Sequence, residues 1–442
     1  MPQVLKNLTF FIQTFGCQMN ESDSERIAGI LYRAGATKAA RPEDGDIIIV
    51  NTCAVRKKAE EKLFSYIGRL AQLKKKKLVQ VGIVGCVAQL RGLELLGKKL
   101  SVDFVLGPDN YAELPEILQK SAAEKYISTA WSREWHETPP DLILRESHVS
   151  AFVPVMEGCN NFCAYCVVPF TRGQEKYRPL PSILEEVKDL SKKGFKEIQL
   201  LGQNVNCYKD PQSGKSFATL LREANGVEGI EWIRFLTSHP KNFTPEIAET
   251  MQESKKICRQ LHLPLQSGST SVLKKMKRGY TQEEYLEKIS YLRCLMPEIS
   301  LSTDIIVGFP GETEKDFEET LAVLKQVRFA AIFSFRYSPR PLTRAAELED
   351  DVSPEEKRRR LEEVQNVQKQ IQLENHSRQA DRVLKVLCLG PAKRTPHLSA
   401  GRNEGNQVVN FLSQEACIGR FVDVRITGFG PYSLHGERIS PS

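Results

Sequence analysis

At 442 residues the chain exceeds the size at which one hydrophobic core keeps growing, so two or three domains are expected. An apolar share of 41% beside 26% charged residues describes an ordinary globular protein, and no apolar run is long enough to offer a membrane-spanning helix, so no membrane partner and a cytoplasmic setting are expected. The net charge of +7 suits a phosphate-backbone partner without demanding one, and eleven cysteines, an odd number partly clustered, point to metal or redox chemistry and against a disulfide framework.

The N-terminal stretch MPQVLKNLTFFIQTFGC is broken by Gln13 and has no small-residue cleavage site, so it reads as a strand and not as a signal peptide. Three apolar runs, LTFFIQTFGC, DIIIVNTC and LVQVGIVGC, have the pattern of buried parallel strands, and helical patterns follow them. Each run ends in a cysteine: Cys17, Cys53 and Cys86. Open α/β sheets bind ligands beyond the carboxyl ends of their strands. One such cysteine would read as a small buried apolar residue; three in the same setting point to convergence on one sheet edge. The stretch ISTAWSREWHETPPDLILRES reads as a linker.

From Phe152 the β–α alternation resumes, with candidate strands AFVPVMEG, KEIQLLGQ, EWIRFLTS, QLHLPLQ, ISLSTDIIVGF and AAIFSFRYS. Six strand–helix units are fewer than the eight of a closed barrel, so an opening for a large substrate is expected. SPEEKRRRLEEVQNVQKQIQLENHSRQ reads as a long helix with Ser353 as N-cap and Pro354 at its first position; its KRRR run, like KKKK at Lys74–Lys77, reads as a solvated face. The short glycine-broken runs that follow suggest a small all-β module. The expected architecture is therefore α/β multidomain: an N-terminal open α/β domain (1–125), a linker (126–150), a central partial (β/α)6 barrel with a trailing helix (151–376) and a small C-terminal β-barrel (377–442).

The chemistry concentrates in MEGCNNFCAYCVVPFTRG, directly after a barrel strand, where Cys159, Cys163 and Cys166 have a Cys-x3-Cys-x2-Cys spacing. That spacing lets one loop wrap three corners of a cubane iron–sulfur cluster, leaving one iron without a protein ligand. A zinc site is the competing reading and needs a fourth ligand that no neighbouring residue supplies. Polar groups at strand ends are candidates to hold a small-molecule cofactor: Gln203, Ser238, His239, Gln266 and Asp304, with Gly308 and Gly311 permitting close backbone approach. Arg172 and Arg178, in TRGQEKYRP, are candidates to meet a carboxylate or phosphate.

The cysteine loop, with Tyr165 before its last cysteine, resembles that of the radical S-adenosylmethionine (SAM) enzymes. The resemblance implies that the open iron chelates the methionine portion of SAM, that a cluster electron cleaves it to a 5′-deoxyadenosyl radical, and that Tyr165 belongs to the cofactor-binding set. It extends along the chain: TFGCQMNESDSE, NTCAVRKKAEEK and GIVGC are similar to the N-terminal domain of the methylthiotransferases, LLGQNVN, FLTSHP, LHLPLQSGS and DIIVGFPGET to their radical SAM barrel, and GRNEGNQVVNF to their TRAM module, an RNA-binding β-barrel. Within that family the motifs are most similar to the MiaB type. This implies a second [4Fe-4S] cluster on Cys17, Cys53 and Cys86, SAM as both methyl donor and radical source, and a methylthio group added at C2 of N6-isopentenyladenosine beside the tRNA anticodon. It further implies a reductase or flavodoxin-like electron donor, with a monomer the favoured state.

With the TRAM resemblance, Lys393, Arg394 and Arg402 become candidate phosphate contacts in a module that also carries Asp381, Glu404, Glu415, Asp423 and Glu437. Rival readings are a methylthiotransferase acting on a ribosomal-protein aspartate, one acting on another hypermodified tRNA adenosine, and a non-catalytic zinc or iron–sulfur RNA-binding protein. Two departures from the family pattern stand out. Leu342 and Arg344 occupy positions of a usual Gly and Pro, which puts that turn's geometry in question, and Cys207 replaces a small polar residue. Cys258, Cys294, Cys388 and Cys417 have no ligand spacing and receive no role.

Overall fold

The computed structural model describes residues 5–55, 57–97, 100–121, 124–413 and 416–439; Glu415 lies outside them. The first domain is a six-stranded sheet built from β1 (Thr9–Phe15), β2 (Thr37–Lys38), β3 (Ile47–Thr52), β4 (Gln80–Val84), β5 (Phe104–Leu106) and β6 (Tyr126–Ser128), in the order β2-β1-β3-β4-β5-β6. All its pairings are parallel. The central strand IIIVNT is buried at every position because both faces are covered. Alternation sends Ile48 and Val50 into one core with Leu63, Tyr66 and Ile67 of helix Lys57–Lys74. Ile47 and Ile49 enter the opposite core with Ile27 and Leu31 of helix Gln18–Arg33. The edge strand β6 falls within the stretch read as linker, so the sheet extends further than its apolar runs indicated.

The central domain holds β7 (Ser150–Pro154), a short antiparallel hairpin of β8 (Met156–Glu157) and β9 (Lys176–Tyr177), then β10 (Glu197–Leu201), β11 (Trp232–Phe235), β12 (Gln260–His262), β13 (Ser300–Val307) and β14 (Ala331–Arg336). The six longer barrel strands form two parallel sheets, β11-β10-β7 and β12-β13-β14, bridged between Ile233 and Ile257. The barrel is thus open between β7 and β14. The first domain meets both of these edges: helix Gln18–Arg33 packs along β7, and Arg340, just past β14, donates to the Val55 carbonyl at 2.9 Å.

Buried ion pairs cross the same boundary. Arg26 pairs with Glu157 at 3.1 Å, Arg172 with Asp23, and Lys176 with both Asp109 and Glu157. On the trailing helix Pro354–Ser377, Ser353 caps by accepting from the Glu356 amide at 3.1 Å. Its KRRR run is only half solvated. Lys357 and Arg360, three residues apart and so on one helical face, are buried, with Arg360 paired to Glu312 at 2.7 Å. In the KKKK run, Lys74 pairs with Asp103 and Lys77 with Asp46, while Lys75 and Lys76 are exposed.

The last domain is a closed five-stranded barrel, β15 (Val383–Pro391), β16 (Ser399–Asn403), β17 (Val408–Leu412), β18 (Phe421–Phe429) and β19 (Leu434–Arg438), in the order β15-β16-β17-β19-β18. It docks on the strand starts of the central barrel. Phe421 meets Trp232 edge-to-face at 4.7 Å, and fully buried Arg234 donates to the Asn403 and Glu404 carbonyls at 2.8 and 2.7 Å. Among the described residues no helix is long and apolar enough to cross a membrane.

Candidate active site

Both cysteine trios stand where strands end. In the first domain Cys17 caps helix Gln18–Arg33 directly after β1, Cys53 follows β3, and Cys86 opens the helix after β4. The turn into Cys86 requires glycine: Gly85 has φ +86°, and a Cβ there would lie 2.4 Å from Asn51 Oδ1. Cys17 and Cys53 share a hydrogen bond. That bond, against the opposing effect of burial, draws the Cys17 thiol down to about 6 and holds Cys53 well above its usual range.

The radical loop leaves β8 through Gly158, which repeats the device: φ is +81°, and a Cβ would meet the Gln174 carbonyl oxygen at 2.0 Å. The Cys166 amide donates to the Cys163 carbonyl at 2.9 Å, and the Cys159 amide donates to that of Gly173 at 3.1 Å. Burial, followed by the neighbouring Cys163, pushes the Cys166 thiol up to about 12; burial also raises Cys159. Among the described residues no three His, Cys, Asp or Glu side chains close on a single metal ion. A cubane makes no such demand, because each of its three thiolates binds a different iron. Two sets of three cysteines, one at the strand ends of the first sheet and one on the loop after β8, offer the three thiolates that each such cluster takes.

Beyond the loop, Tyr165, Cys166, Gln266 and Asp304 line one cavity of about 700 Å³. Val55, Lys57, Lys58 and Glu61 of the first domain also line it, with Ile306, Phe335, Tyr337, Arg340 and Lys357. Two further observations fit a bound polar cofactor. Ser238 Oγ and Gln266 Oε1 are buried without a hydrogen-bond partner among the described residues, and Thr237 and Gln266 are held at φ +67° and +74°. Asp304 lies 3.4 Å from His262 Nε2, and Gln203 accepts from the Gly158 amide at 2.5 Å, fixing the mouth of the loop.

Other expected residues stand elsewhere. Arg178 is consumed by Glu186 and Glu137, and Arg172 by Asp23 and Cys86, so neither guanidinium faces the cavity. Gly308 and Gly311 do admit close approach, but by the Lys357 and Lys275 side chains. Of the candidate RNA contacts, Lys393 and Arg394 are exposed, whereas Arg402 donates to Asn406 at 2.7 Å in the turn that docks on Arg234. Arg402 is thus engaged within its own barrel. Cys207 donates to the Asn204 carbonyl at 3.0 Å, and its thiol is pushed up by burial. Cys388 and Cys417 face each other at 2.8 Å inside the last barrel.

One residue beside the loop is not foreshadowed by any motif. Arg278, buried, donates to Cys163 Sγ and to Tyr165 Oη, each at 3.4 Å. Nothing but a basic run, KKMKRG, marks it in the sequence. His239 lies 3.9 Å from Cys163 Sγ, its imidazole held down at about 2 by burial and then by Arg278, and so neutral.

Residues 153–324 match the radical SAM superfamily, 9–107 the uncharacterized protein family UPF0004, and 382–439 the TRAM domain. The chain is 45% identical over 437 residues to the tRNA-2-methylthio-N6-dimethylallyladenosine synthase of Geobacter metallireducens, covering 97% of each. It is 43% identical to that of Thermodesulfovibrio yellowstonii, covering 99% of this chain and all of the relative. The chain belongs to the tRNA-2-methylthio-N6-dimethylallyladenosine synthase family. Among solved structures, the radical SAM methyltransferase TsrM of Kitasatospora setae superposes with a TM-score of 0.57 at 13% identity, over 77% of this chain and 74% of that one. OxsB, a cobalamin-dependent SAM radical enzyme, gives 0.52 at 13% identity, over 83% and 56%. These two share the fold. Leu342 is exposed and left-handed, at φ +67°.

Proposed function

We propose that this chain is a cytoplasmic radical SAM tRNA methylthiotransferase that places a methylthio group on C2 of N6-isopentenyladenosine next to the anticodon. The observation that carries this reading is the shared cavity. The radical loop, through Tyr165 and Cys166, and the segment just after Cys53, through Val55, Lys57 and Lys58, line the same space. A C2–H bond of adenine has no acidity that a side-chain base could use. A radical source and a sulfur-delivering site that open on one cavity are what the substitution requires.

Cys159, Cys163 and Cys166 would hold one [4Fe-4S] cluster, and Cys17, Cys53 and Cys86 a second. When bound, the two would supply one-electron cleavage of SAM and a seat for the sulfur to be inserted. The chain's own groups do the rest. Arg278 and neutral His239 bracket Cys163, Gln203 sets the loop mouth, and Ser238, Gln266 and Asp304 offer polar atoms to the cofactor. Phe335, Tyr337 and Ile306 give the cavity an apolar side suited to a base displaced from its stack. Electrons would come from a reductase or flavodoxin-like donor, with the chain acting as a monomer.

The test is nucleoside mass spectrometry of tRNA from a host lacking its own enzyme and supplied with this chain. The methylthiolated isopentenyladenosine is expected; its absence sinks the substrate assignment. Anaerobic reconstitution should give about eight irons per chain, four per cluster. The triple change of Cys17, Cys53 and Cys86 to Ala should spare SAM cleavage and abolish sulfur insertion.

A further inference from the structure

Arg172 follows the last cysteine of the radical loop by six residues, yet its guanidinium leaves that domain. Nε donates to Cys86 Sγ at 3.2 Å, and Nη2 donates to Asp23 Oδ2. The side chain is 2% exposed and that of Asp23 1%. Among the described residues, two polar atoms of this pair have no hydrogen-bond partner: Arg172 Nη1 and Asp23 Oδ1. A guanidinium meeting a carboxylate normally makes two parallel bonds, which would satisfy both of them. Here that arrangement is forgone, and Nε is turned onto a sulfur instead.

The surrounding charges sharpen the point. Arg26, Arg172 and Lys176 face Asp23, Asp109 and Glu157 in one buried network, three cations against three anions. It is balanced before any charge is placed on Cys86. A ligating thiolate adds a negative charge beside a guanidinium whose Nη1 makes no hydrogen bond among the described residues.

We infer that Arg172 is a positioning residue of the first-domain cluster site: the radical domain supplies it, it hydrogen-bonds the Cys86 sulfur, and it raises the reduction potential of the cluster held there. The inference rests on the two-cluster reading. Hydrogen bonds to cluster sulfurs and net local charge are the protein's levers on such potentials, and the donor stabilises the more negative, reduced state. It also means that the first-domain site is completed only when the two domains are docked.

The experiment uses the full chain in two backgrounds. In C159A/C163A/C166A only the first-domain trio can load; in C17A/C53A/C86A only the radical trio can. Each is reconstituted anaerobically, with and without R172Q, then assayed for iron and titrated potentiometrically with EPR detection. In the first background R172Q is expected to move the potential to a more negative value or to remove that cluster alone, with R172K intermediate. In the second background R172Q should leave iron content and potential unchanged. An unchanged potential at full iron content in the first background overturns the inference, and so does an equal effect in both, which marks a general loss of structure. If the first background binds no iron even with Arg172 in place, the two-cluster reading itself fails and takes the inference with it.

Discussion

Leu342 shows what a left-handed backbone costs a residue that is not glycine. Its left-handed backbone, φ +67°, carries a Cβ that glycine would not. Leu342→Gly should therefore stabilise the chain by about 1 kcal/mol, less the freedom glycine adds to the unfolded chain, read as a raised thermal midpoint. Glu25 gives a pH-dependent case. Burial raises its carboxyl to about 7, because Arg145, its nearest cation, is shared with Glu186, while Glu146 and Glu21 add like charge. A carboxyl raised on folding binds more protons in the native state than in the unfolded one. Stability then falls as pH climbs from about 4.5 to about 7, and levels off above. Glu25→Gln should flatten that slope in melts taken at pH 5 and pH 7.

Among the secondary-structure elements, the longer strands were legible because their apolar runs are long enough to show a pattern, as IIIVNT and the six barrel strands do. The strands β2, β5, β6 and β9 were not, since two or three residues outside any longer apolar run carry no period. The cysteine trios were legible because thiol spacing is local or because each cysteine ends a strand. Arg278 on Cys163 and Arg172 on Cys86 were not, as these pairings close over 115 and 86 residues and only the fold creates them. Arg234 on β11 belongs to the same class. It sits fully buried between Glu197, at 2.7 Å, and two carbonyls of the last barrel. Arg234→Ala would leave the Glu197 carboxylate buried and unpaired, at a cost of about 3–5 kcal/mol. The expected result is release of the last barrel as a separate fragment in limited proteolysis, with the cavity walls intact.

Among the described residues none of the last barrel lines the cavity, so contacts of that barrel with RNA would be separate from the chemistry on the base. Changing Lys393 and Arg394 together to Ala should raise the KM for tRNA with little change in kcat. It should also lower the salt slope of binding by about one unit for each phosphate no longer neutralised. An unchanged slope would show that these two exposed cations meet no phosphate.

The buried ion pairs between the first two domains carry a historical consequence. The family matches draw borders at residues 107 and 153, as if the sheet domain and the barrel were separate inheritable parts. Yet Asp23, Arg26 and Asp109 on one side answer Arg172, Glu157 and Lys176 on the other, with no solvent to absorb a mismatch. A recombination event at that border would leave stranded charges unless both halves came from compatible parents. Separate in their family matches, the two domains are joined by one set of buried charges, and chimeras between distant relatives should load iron only when these six side chains travel together.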